Sequence, residues 1–441
     1  MNEKSLINAL KSNFGIENLN SMQNKVSTEF SQNENILLLS PTGSGKTIAF
    51  AIPILKKLNE PNGKIKAIVI APSRELVIQI WNVIRPIAEG YKVTCFYGGH
   101  SMIDEKQSLS VCPDIIISTP GRLLDHINRK NIDIYSTKFL VLDEFDKSLE
   151  LGFQDEMKKI IKRMPNLSKR ILTSATDLDE LPEFLGIETI KEINFLDKGV
   201  TPQNRITVFK AISEDKDKLV ALKILLANIS VERTIIFANH RESAERIYEY
   251  LDQNNLSVGL YHGGLEQIDR EKAISLFNNG TNLILVSTDL GSRGLDIKEV
   301  NNIIHYHIPS TLEAYTHRNG RTARIDAQGN VYILASQDEK VPSFIKINKE
   351  LVLDQGKDIE FKANISTLYF QAGRKEKISK GDILGFLLNN TDSTNGDLGQ
   401  IEIKDHYALV AVPKEKISAI LKVISPLKIK NKKVRISEIR R

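Results

Sequence analysis

A glycine-rich segment between a short apolar run and a helical pattern has the spacing of a phosphate-binding loop. From Leu37 to Thr47 the chain reads Leu-Leu-Leu-Ser-Pro-Thr-Gly-Ser-Gly-Lys-Thr. In such a loop successive backbone N–H groups close around phosphates, the lysine reaches the terminal phosphates and the last hydroxyl binds Mg²⁺. Ser40 stands at the usual first glycine, and a plain turn is the alternative. The pattern assigns a nucleotide site to Thr42, Gly43, Ser44, Gly45, Lys46 and Thr47.

A second apolar run ends in carboxylates, as a nucleotide-hydrolysing site requires. The run Leu140-Val-Leu-Asp-Glu-Phe-Asp places Asp143 97 residues after Lys46. Asp143 is the candidate Mg²⁺ ligand, and Glu144 is the candidate base that orients and deprotonates water. Acids at an ordinary exposed strand end are the alternative. Three preceding apolar residues favour the catalytic interpretation.

Short β-branched runs alternate with amphipathic helical stretches along the chain. Each run ends in small or polar residues, which is typical of buried parallel strands that enter loops. The pattern predicts an α/β protein with two doubly wound domains built on parallel sheets. Polar breaks at residues 197–203 and 354–364 interrupt the pattern of strands and helices. They separate three predicted domains, at residues 1–198, 204–355 and 366–441.

Composition excludes several classes of protein. The 441 residues are 41% hydrophobic and 26% charged, which is ordinary for a globular chain and unlike a collagenous or disordered one. No apolar stretch approaches the ~20 residues that a membrane span needs. Cys95 and Cys112 cannot form a disulfide framework, and the N-terminus lacks the features of a secretion signal. We therefore expect a cytoplasmic protein with no membrane partner.

The basic excess is confined to the C-terminal end. Residues 366–441 contain 15 Lys+Arg and 8 Asp+Glu, a charge of +7, whereas the other 365 residues carry −2. Such asymmetry indicates a nucleic-acid or membrane-surface module appended to another function.

With these motifs in view, the chain resembles the DEAD-box RNA helicases over nearly its whole length. The acidic motif reads Asp143-Glu-Phe-Asp146, with Phe145 in place of the family's alanine, and Ser174-Ala-Thr176 follows it. The resemblance implies two RecA-like domains, ATP and Mg²⁺ as cofactors, and a monomer that acts on RNA. It also implies that Asp146, Ser174 and Thr176 couple ATP hydrolysis to strand separation.

Further segments resemble the family's RNA-contacting and later motifs. They are Pro72-Ser-Arg-Glu-Leu76, Gly98-Gly99, Thr119-Pro-Gly-Arg122, Ser287 to Asp296 and His317 to Arg324. The resemblance implies that RNA contacts Arg74, Gly98, Gly99, Thr119, Arg122, Gln267, Arg270 and Thr288. It also implies that Asp296 contacts the ribose.

Hydrolysis needs positive charge at the γ-phosphate, and the resemblance gives this role to Arg321 and Arg324 of the second domain. We expect a closed cleft to bring them to the nucleotide, so that ATP and RNA binding favour each other. Arg318, Arg321 and Arg324 lie at i, i+3 and i+6, and a solvated helix face is the alternative interpretation.

The adenine-reading motif departs from the family. Ile16 and Gln23 stand at the family spacing, and a glutamine amide can both donate to and accept from the base. Asn20 and Ser21 replace the usual Thr-Pro pair. Gln23 as a polar core residue therefore stays an alternative. Phe145 could likewise alter the coupling between the acidic motif and Ser174-Ala-Thr176, although we expect ATPase activity to survive.

The C-terminal segment has the βαββαβ order of an RRM, a small α+β fold that binds single-stranded bases. Its Gly-Arg-Lys-Glu-Lys-Ile and Gly-Asp-Ile-Leu-Gly stretches resemble the DbpA group of bacterial DEAD-box helicases, which are directed to large-subunit ribosomal RNA. Tyr407 occupies the first aromatic place on a strand from Asp405 to Val412, whereas Leu409 replaces a second ring. RNA contacts are expected at Tyr407 and, through phosphates, at Arg374, Lys375, Lys377 and the basic cluster from Lys428 to Arg435. A solubilising charged face is the alternative.

The leading interpretation is an ATP-dependent RNA helicase that remodels structured RNA locally, with ribosomal precursors as partners in ribosome assembly. An ATP-gated RNA clamp, whose unwinding is incidental, uses the same residues. A DNA translocase is disfavoured because the RNA-contacting segments and the C-terminal module all resemble RNA-directed proteins.

Overall fold

The computed structural model describes residues 3–41, 43–99, 102–176, 180–196, 206–289, 297, 300–322, 328–359 and 361–439. Contacts divide the chain into a first unit, Met1–Thr201 with Arg293–Asp296, and a second unit, Pro202–Ser292 with Ile297–Arg441. The domain boundaries stay predictions. Across the described ranges, every helix is too short or too polar to cross a membrane.

The first unit contains a seven-stranded parallel sheet among its described residues. Its strands lie in the order β3-β4-β2-β5-β6-β1-β7, with a 3₁₀ turn at Glu183–Leu185 before β7. The elements are α1 (Glu3–Phe14), α2 (Ser21–Gln32), β1 (Asn35–Leu39), α3 (Lys46–Lys57), β2 (Ala67–Ile70), α4 (Arg74–Ile87), β3 (Val93–Phe96), α5 (Met102–Ser108), β4 (Ile115–Ser118), α6 (Pro120–Asn128), β5 (Phe139–Leu142), α7 (Phe145–Glu150), α8 (Gln154–Ile161), β6 (Lys169–Ser174) and β7 (Lys191–Asn194).

Both faces of this sheet are buried, which explains why its strands are continuous apolar runs. Along β1, Ile36 and Leu38 belong to one hydrophobic core, whereas Leu37 and Leu39 belong to the core on the opposite face. Side chains of a strand alternate between the two faces, so each face is covered by its own layer of helices. Polar residues gather at the edge of the sheet that is formed by the carboxyl ends of the strands.

Phe145 points into one of these cores. Its side chain is fully buried among residues such as Phe96, Leu123 and Met157. The ring therefore fills apolar space below the acidic motif, where the family's alanine would leave part of that volume to other side chains. The effect of Phe145 on the coupling with Ser174-Ala-Thr176 stays a prediction.

The second unit begins with another seven-stranded parallel sheet in its described part, in the order β10-β11-β9-β12-β13-β8-β14. Its elements are β8 (Ile206–Ser213), α9 (Leu219–Asn228), β9 (Thr234–Ala238), α10 (Arg241–Gln253), β10 (Val258–Tyr261), α11 (Gln267–Asn278), β11 (Ile284–Thr288), β12 (Asn302–His305), α12 (Leu312–Asn319), β13 (Gly329–Ser336) and β14 (Lys349–Leu351). Both parallel sheets confirm the predicted RecA-like fold class.

Residues 365–439 form a C-terminal module around a four-stranded antiparallel sheet, in the order β16-β17-β15-β20. Its elements are β15 (Ile365–Phe370), α13 (Lys380–Asn390), β16 (Ile401–Ile403), β17 (Ala408–Pro413), α14 (Ile417–Ile424), β18 (Lys428–Ile429), β19 (Lys432–Lys433) and β20 (Ile436–Ile439). The βαββαβ order is confirmed.

Two details of the module differ from the prediction. Strand β17 begins at Ala408, so Tyr407 precedes it. The basic segment after Lys428 forms a small β18-β19 hairpin, which the sequence interpretation missed. Lys430 and Asn431 make its two-residue turn with positive φ angles of 48° and 62°, the conformation that a tight hairpin turn requires.

Replacing Phe145 with alanine should destabilise the first unit, because removal of a large buried ring leaves a cavity. Such a cavity lowers the free energy of unfolding by about 3–5 kcal/mol. The single tryptophan, Trp81, lies on α4 of the same unit, so its fluorescence during urea unfolding reports that unit. We expect a lower urea midpoint for Phe145→Ala. Tyr135→Ala is the matched control, because that side chain is 61% exposed. Equal midpoints for both variants would show that the ring adds nothing to the core.

Candidate functional site

The phosphate-binding segment joins β1 to α3. Gly43 and Gly45 have φ angles of 82° and 91°, a left-handed conformation that glycine adopts without strain. Lys46 begins α3, and its Nζ donates to the backbone oxygens of Ser40 at 2.7 Å and Pro41 at 3.2 Å. The ammonium group is therefore folded into the loop. Thr42 lies outside the described residues.

The order of the sheet places the acidic motif beside this loop. Strands β5, β6 and β1 are neighbours, and their carboxyl ends carry Asp143, Ser174 and Ser40 in turn. Leu39 is paired with Ser174, and the backbone N–H of Ser40 donates to the carbonyl oxygen of Ser174 at 3.0 Å. Three segments that are far apart in sequence thus meet at one edge.

Thr173 joins the two candidate catalytic acids. Its hydroxyl donates to Oδ1 of Asp143 at 2.5 Å and accepts from the backbone N–H of Glu144 at 3.1 Å. Glu144 is held in a left-handed conformation, with φ 47° and ψ 55°, as α7 begins. The sequence interpretation missed Thr173, because it named only the next residue, Ser174, and because the contact depends on the register of β6 with β5.

Asp143 is suited to a divalent cation. Its side chain is only 3% exposed, and burial raises its pKa despite the Thr173 hydrogen bond and the Lys46 charge. A bound cation reverses that effect by stabilising the carboxylate. Carboxylate and hydroxyl oxygens are hard ligands that suit Mg²⁺, and Thr47 supplies a hydroxyl in the first turn of α3. The donor set therefore fits the predicted metal.

The predicted coupling residues are in contact. The Thr176 hydroxyl donates to Oδ2 of Asp146 at 3.0 Å. The Ser174 hydroxyl accepts from the Thr176 backbone N–H at 3.1 Å and donates to the Thr176 carbonyl oxygen at 2.5 Å. The segment after β6 is thereby bonded to α7, so that a displacement of one would be felt by the other.

The adenine-reading candidate is tied to the phosphate loop. Asn20 caps α2, because its Oδ1 accepts from the Gln23 backbone N–H and Gln23 Oε1 accepts from the Asn20 N–H, both at 2.9 Å. Asn20 Nδ2 also donates to the Ser44 carbonyl oxygen at 3.2 Å, and Gln23 Nε2 to that of Gly45 at 3.4 Å. Asparagine is as good a cap as threonine, so the departure at position 20 keeps the local structure.

Ile16 packs against the hydrophobic core of the first unit. Gln23 is 4% exposed, and its amide has these protein partners. Its role in reading the base stays a prediction.

The residues predicted to hold RNA in the first unit gather at the other half of the sheet. Arg74, Gly98 and Thr119 follow strands β2, β3 and β4, which are neighbours. A Cβ atom at Gly98 would lie 3.3 Å from the Arg74 guanidinium, and one at Gly99 would lie closer still. The sheet therefore separates the candidate RNA residues from the candidate nucleotide residues.

Arg122 is held by a carboxylate that the sequence interpretation did not identify. Its Nε donates to Oε2 of Glu105 at 2.8 Å, and the same oxygen lies 2.8 Å from His126 Nε2. Glu105 and His126 are both buried. The buried Glu105 carboxylate therefore fixes the orientation of the Arg122 side chain, which is 15% exposed.

The candidate arginines of the second unit lie in different surroundings. Arg318 is 1% exposed and pairs with both carboxylate oxygens of Asp289 at 2.5 and 2.7 Å. Burial and the Arg318 charge lower the pKa of His305 to about 3, so this imidazole is neutral. Arg318 is therefore a buried residue that stabilises the second unit through its ion pair with Asp289.

Helix α12 ends at Asn319, before Arg321, which is 2% exposed. The alternative of one solvated helix face is therefore wrong. Thr288 ends β11 and is 5% exposed. Asp296 and Arg324 lie outside the described residues.

The prediction that Tyr407 stacks on RNA bases is wrong for this structure. Tyr407 is 4% exposed, and its hydroxyl donates to Oε2 of Glu271 on α11 at 3.4 Å. A ring that is covered by a helix of the same unit offers no face to a base. In contrast, Arg374, Lys375 and Lys377 are exposed in the loop before α13 and can reach phosphates.

Three family models match consecutive parts of the chain. DEAD/DEAH box helicase matches residues 20–183, helicase conserved C-terminal domain matches residues 217–326 and DbpA RNA binding domain matches residues 367–438. DEAD-box ATP-dependent RNA helicase CshB of Bacillus subtilis (strain 168) is 33% identical over 70% of this chain and 72% of its own length. The chain belongs to the DEAD-box RNA helicase family.

The helicase is DbpA-like over nearly all of its length. ATP-dependent RNA helicase DbpA of Bacillus subtilis (strain 168) is 29% identical, with 92% of each chain covered. Among solved structures, Mss116p bound to ssRNA and AMP-PNP is 25% identical with a TM-score of 0.70, covering 80% of this chain and 78% of that one. The protein is an RNA-stimulated ATPase that binds ATP and RNA.

Asn20→Ala should weaken ATP binding, because it removes the cap that holds Gln23 and the loop at Ser44 and Gly45. Loss of a cap costs ~1 kcal/mol, which corresponds to about a fivefold rise in KM for ATP. Asn20→Thr should restore most of the affinity. Thr28→Ala, which changes an exposed hydroxyl on the same helix, is the control. An unchanged KM for Asn20→Ala would show that the cap does not support the nucleotide site.

Thr173→Val should slow hydrolysis while it keeps the shape of the side chain. It removes one hydrogen bond to a charged group and one to the Glu144 backbone, worth about 1.5–3 kcal/mol. We expect kcat to fall ten- to hundredfold at saturating ATP and RNA, in steady-state phosphate release. Thr94→Val, on the remote strand β3, controls for the loss of a threonine. Equal kcat values for the two variants would exclude a role for Thr173.

Proposed function

We propose that this helicase unwinds short, structured RNA regions locally, and that its target is large-subunit ribosomal RNA during ribosome assembly in the cytoplasm. The observation that carries the proposal is a DbpA RNA-binding module that follows both helicase domains in one chain. Two curated relatives that match over nine-tenths of the chain are named as ATP-dependent RNA helicases DbpA. We further propose that the protein acts as a monomer.

The geometry of the first unit supports a hydrolysis site. We propose that Thr47 and Asp143 hold Mg²⁺, which neutralises phosphate charge when it is bound. Lys46 would exchange its bonds to the loop carbonyls for bonds to phosphate oxygens. Glu144, in its left-handed position, would orient the attacking water and accept its proton. The proposal is supported by the position of these four residues, which follow the carboxyl ends of strands β1 and β5, on either side of β6.

The C-terminal module supports a preference for structured RNA through exposed cations. Arg374 is 68% exposed and lies 3.8 Å from Asp405, an ion pair that is weak at such exposure. Lys375 and Lys377 lie in the same loop. Lys377 has a positive φ of 63°, and its backbone N–H donates to the Arg374 carbonyl oxygen at 2.9 Å, which closes a tight turn. Cations held in a fixed loop can match the phosphate positions of one folded RNA better than those of a flexible strand.

Replacing Arg374, Lys375 and Lys377 together with alanine should lower the affinity for a ribosomal RNA fragment and reduce the salt dependence of binding. Each lost phosphate contact reduces the slope of log K against log salt by about 0.7–0.9. ATPase stimulation by an unstructured RNA should persist. The matched control removes three exposed lysines of the first unit, Lys158, Lys159 and Lys162. Equal loss of affinity in both triple variants would show that the loop cations contribute only a general electrostatic attraction to RNA.

Unwinding itself can be separated from an RNA clamp. In a single-turnover assay with a short duplex, the helicase should release the strand in less time than the ATP-bound complex takes to dissociate. Glu144→Gln should bind RNA with ATP but release phosphate slowly. Strand release slower than dissociation of the complex would favour the clamp.

A further inference from the structure

One face of the C-terminal sheet is covered by another part of the second unit. In β15 and β17 alternate residues such as Leu368 and Val410 fill the core of the module. Their neighbours point to the other face, yet Thr367, Tyr407 and Leu409 are 0%, 4% and 1% exposed. We call this covered surface the docked face; it comprises Thr367, Tyr369, Glu402, Tyr407 and Leu409.

Helix α11 and the turn that follows it make specific contacts with the docked face. The Ser275 hydroxyl donates to Glu402 at 2.7 Å. Asn279 Nδ2 donates to the Thr367 hydroxyl at 2.9 Å, and the Thr281 hydroxyl lies 2.7 Å from the same oxygen. These partners are polar and satisfied, which favours one orientation of the module.

Aromatic contacts complete the surface. Tyr369 stacks on Tyr407 with ring centroids 5.6 Å apart. Lys272 Nζ lies 5.5 Å from the Tyr369 ring centroid, within the range of a cation–π contact. The rings that an RRM-like sheet would offer to bases are occupied here by a helix of the same chain.

A chain of side-chain hydrogen bonds runs from the docked face to the first turn of α11. The Tyr407 hydroxyl donates to Oε2 of Glu271 at 3.4 Å. Gln267 Nε2 donates to the other oxygen, Oε1, at 3.2 Å. Arg270 Nη2 then donates to Gln267 Oε1 at 2.5 Å. Residues 267, 271 and 275 are spaced by four and lie on one stripe of the helix, which is why the chain is continuous.

Each link constrains the next. The Gln267 amide has one carbonyl acceptor and one NH₂ donor, so fixing the donor on Glu271 also fixes the acceptor toward Arg270. Burial, with the adjacent Glu271 carboxylate, raises the pKa of Tyr407, so its hydroxyl keeps its proton and remains a donor. The orientation of Arg270 therefore depends on a tyrosine 137 positions away, in the C-terminal module.

We propose that the docked face positions Gln267 and Arg270 for RNA, so that Tyr407 and Glu271 are positioning residues that connect the C-terminal module to the motor. The inference rests on the proposed function and on the RNA contact of Arg270 that the family resemblance implies. It gives the module a second task beside holding RNA, and it requires the docked face to stay closed while the helicase works.

A reversible cross-link tests whether the face stays closed. Thr281→Cys with Thr367→Cys would place two sulfurs where hydroxyl oxygens lie 2.7 Å apart, close to a disulfide bond of ~2.05 Å. Burial raises the pKa of the native Cys95 to about 12 and also raises that of Cys112, which slows their oxidation.

We expect the disulfide to form under mild oxidation and the RNA-stimulated ATPase to stay within about twofold of the reduced protein. Failure of the bond to form would overturn the docked arrangement. Loss of RNA stimulation that returns on reduction would show that the face must open, which also overturns the proposal.

Tyr407→Phe tests the positioning role, because it keeps the ring and removes only the hydroxyl. We expect KM for RNA to rise about three- to tenfold with kcat at saturating RNA unchanged. Ser275→Ala is the matched control: it removes another hydrogen bond of the same interface outside the chain that reaches Arg270. A general loosening of the interface would raise KM equally in both variants and would contradict the proposal.

A double-mutant cycle separates this inference from the proposed function. Tyr407→Phe should add little to Arg270→Ala, because both act through the same contact. If Arg270→Ala leaves KM for RNA unchanged, the proposed RNA contact fails. If Arg270→Ala raises KM but Tyr407→Phe does not, or if their effects add fully, the positioning role alone fails.

Discussion

The hydroxyl of Thr173 bonds the carboxylate of Asp143 and the backbone of Glu144 at once, and the candidate ATPase site depends on this shared contact. It exists because β5 and β6 are adjacent in the sheet, and β1 with the phosphate loop follows on the other side of β6. Parallel strands end at a common edge, so one strand order delivers the loop lysine, the acids and the hydroxyl together. A different order would separate them, although every motif would still be present in the sequence.

Burying the charges of Asp143 and Lys46 costs free energy, and this cost determines which ligands the site can bind. Asp143 is almost fully enclosed, and burial raises its pKa in spite of Lys46 nearby. A buried carboxylate is stable when a cation and hydrogen bonds compensate for lost water. The buried charges therefore suit the anionic phosphates of ATP beside Lys46. They also support the proposal that Asp143 holds Mg²⁺, because a cation would offset the cost of burying its carboxylate.

Features written in short continuous segments could be predicted from the sequence. The loop from Ser40 to Thr47, the acidic motif and the βαββαβ order all belong to this class, because spacing along a strand or turn determines them. Thr173, Glu105 and Glu271 could not be recognised, since their importance comes from partners in other strands and helices. The burial of Tyr407 could not be predicted for the same reason: the sequence indicates which face of the sheet this residue lies on, but not what covers that face.

Local packing and hydrogen bonding also explain how the residues that depart from the family pattern fit the structure. Asn20 replaces a threonine and still caps α2, because both side chains offer an oxygen to the N–H at the third helical position. Phe145 replaces a small residue and turns into the core below the acids. The distribution of charge in the module has a similar explanation, since the exposed cations Arg374, Lys375 and Lys377 lie in the loop before α13 and are not part of the docked face. One module can therefore expose cations to solvent and pack its sheet against α11, because the two features use different surfaces.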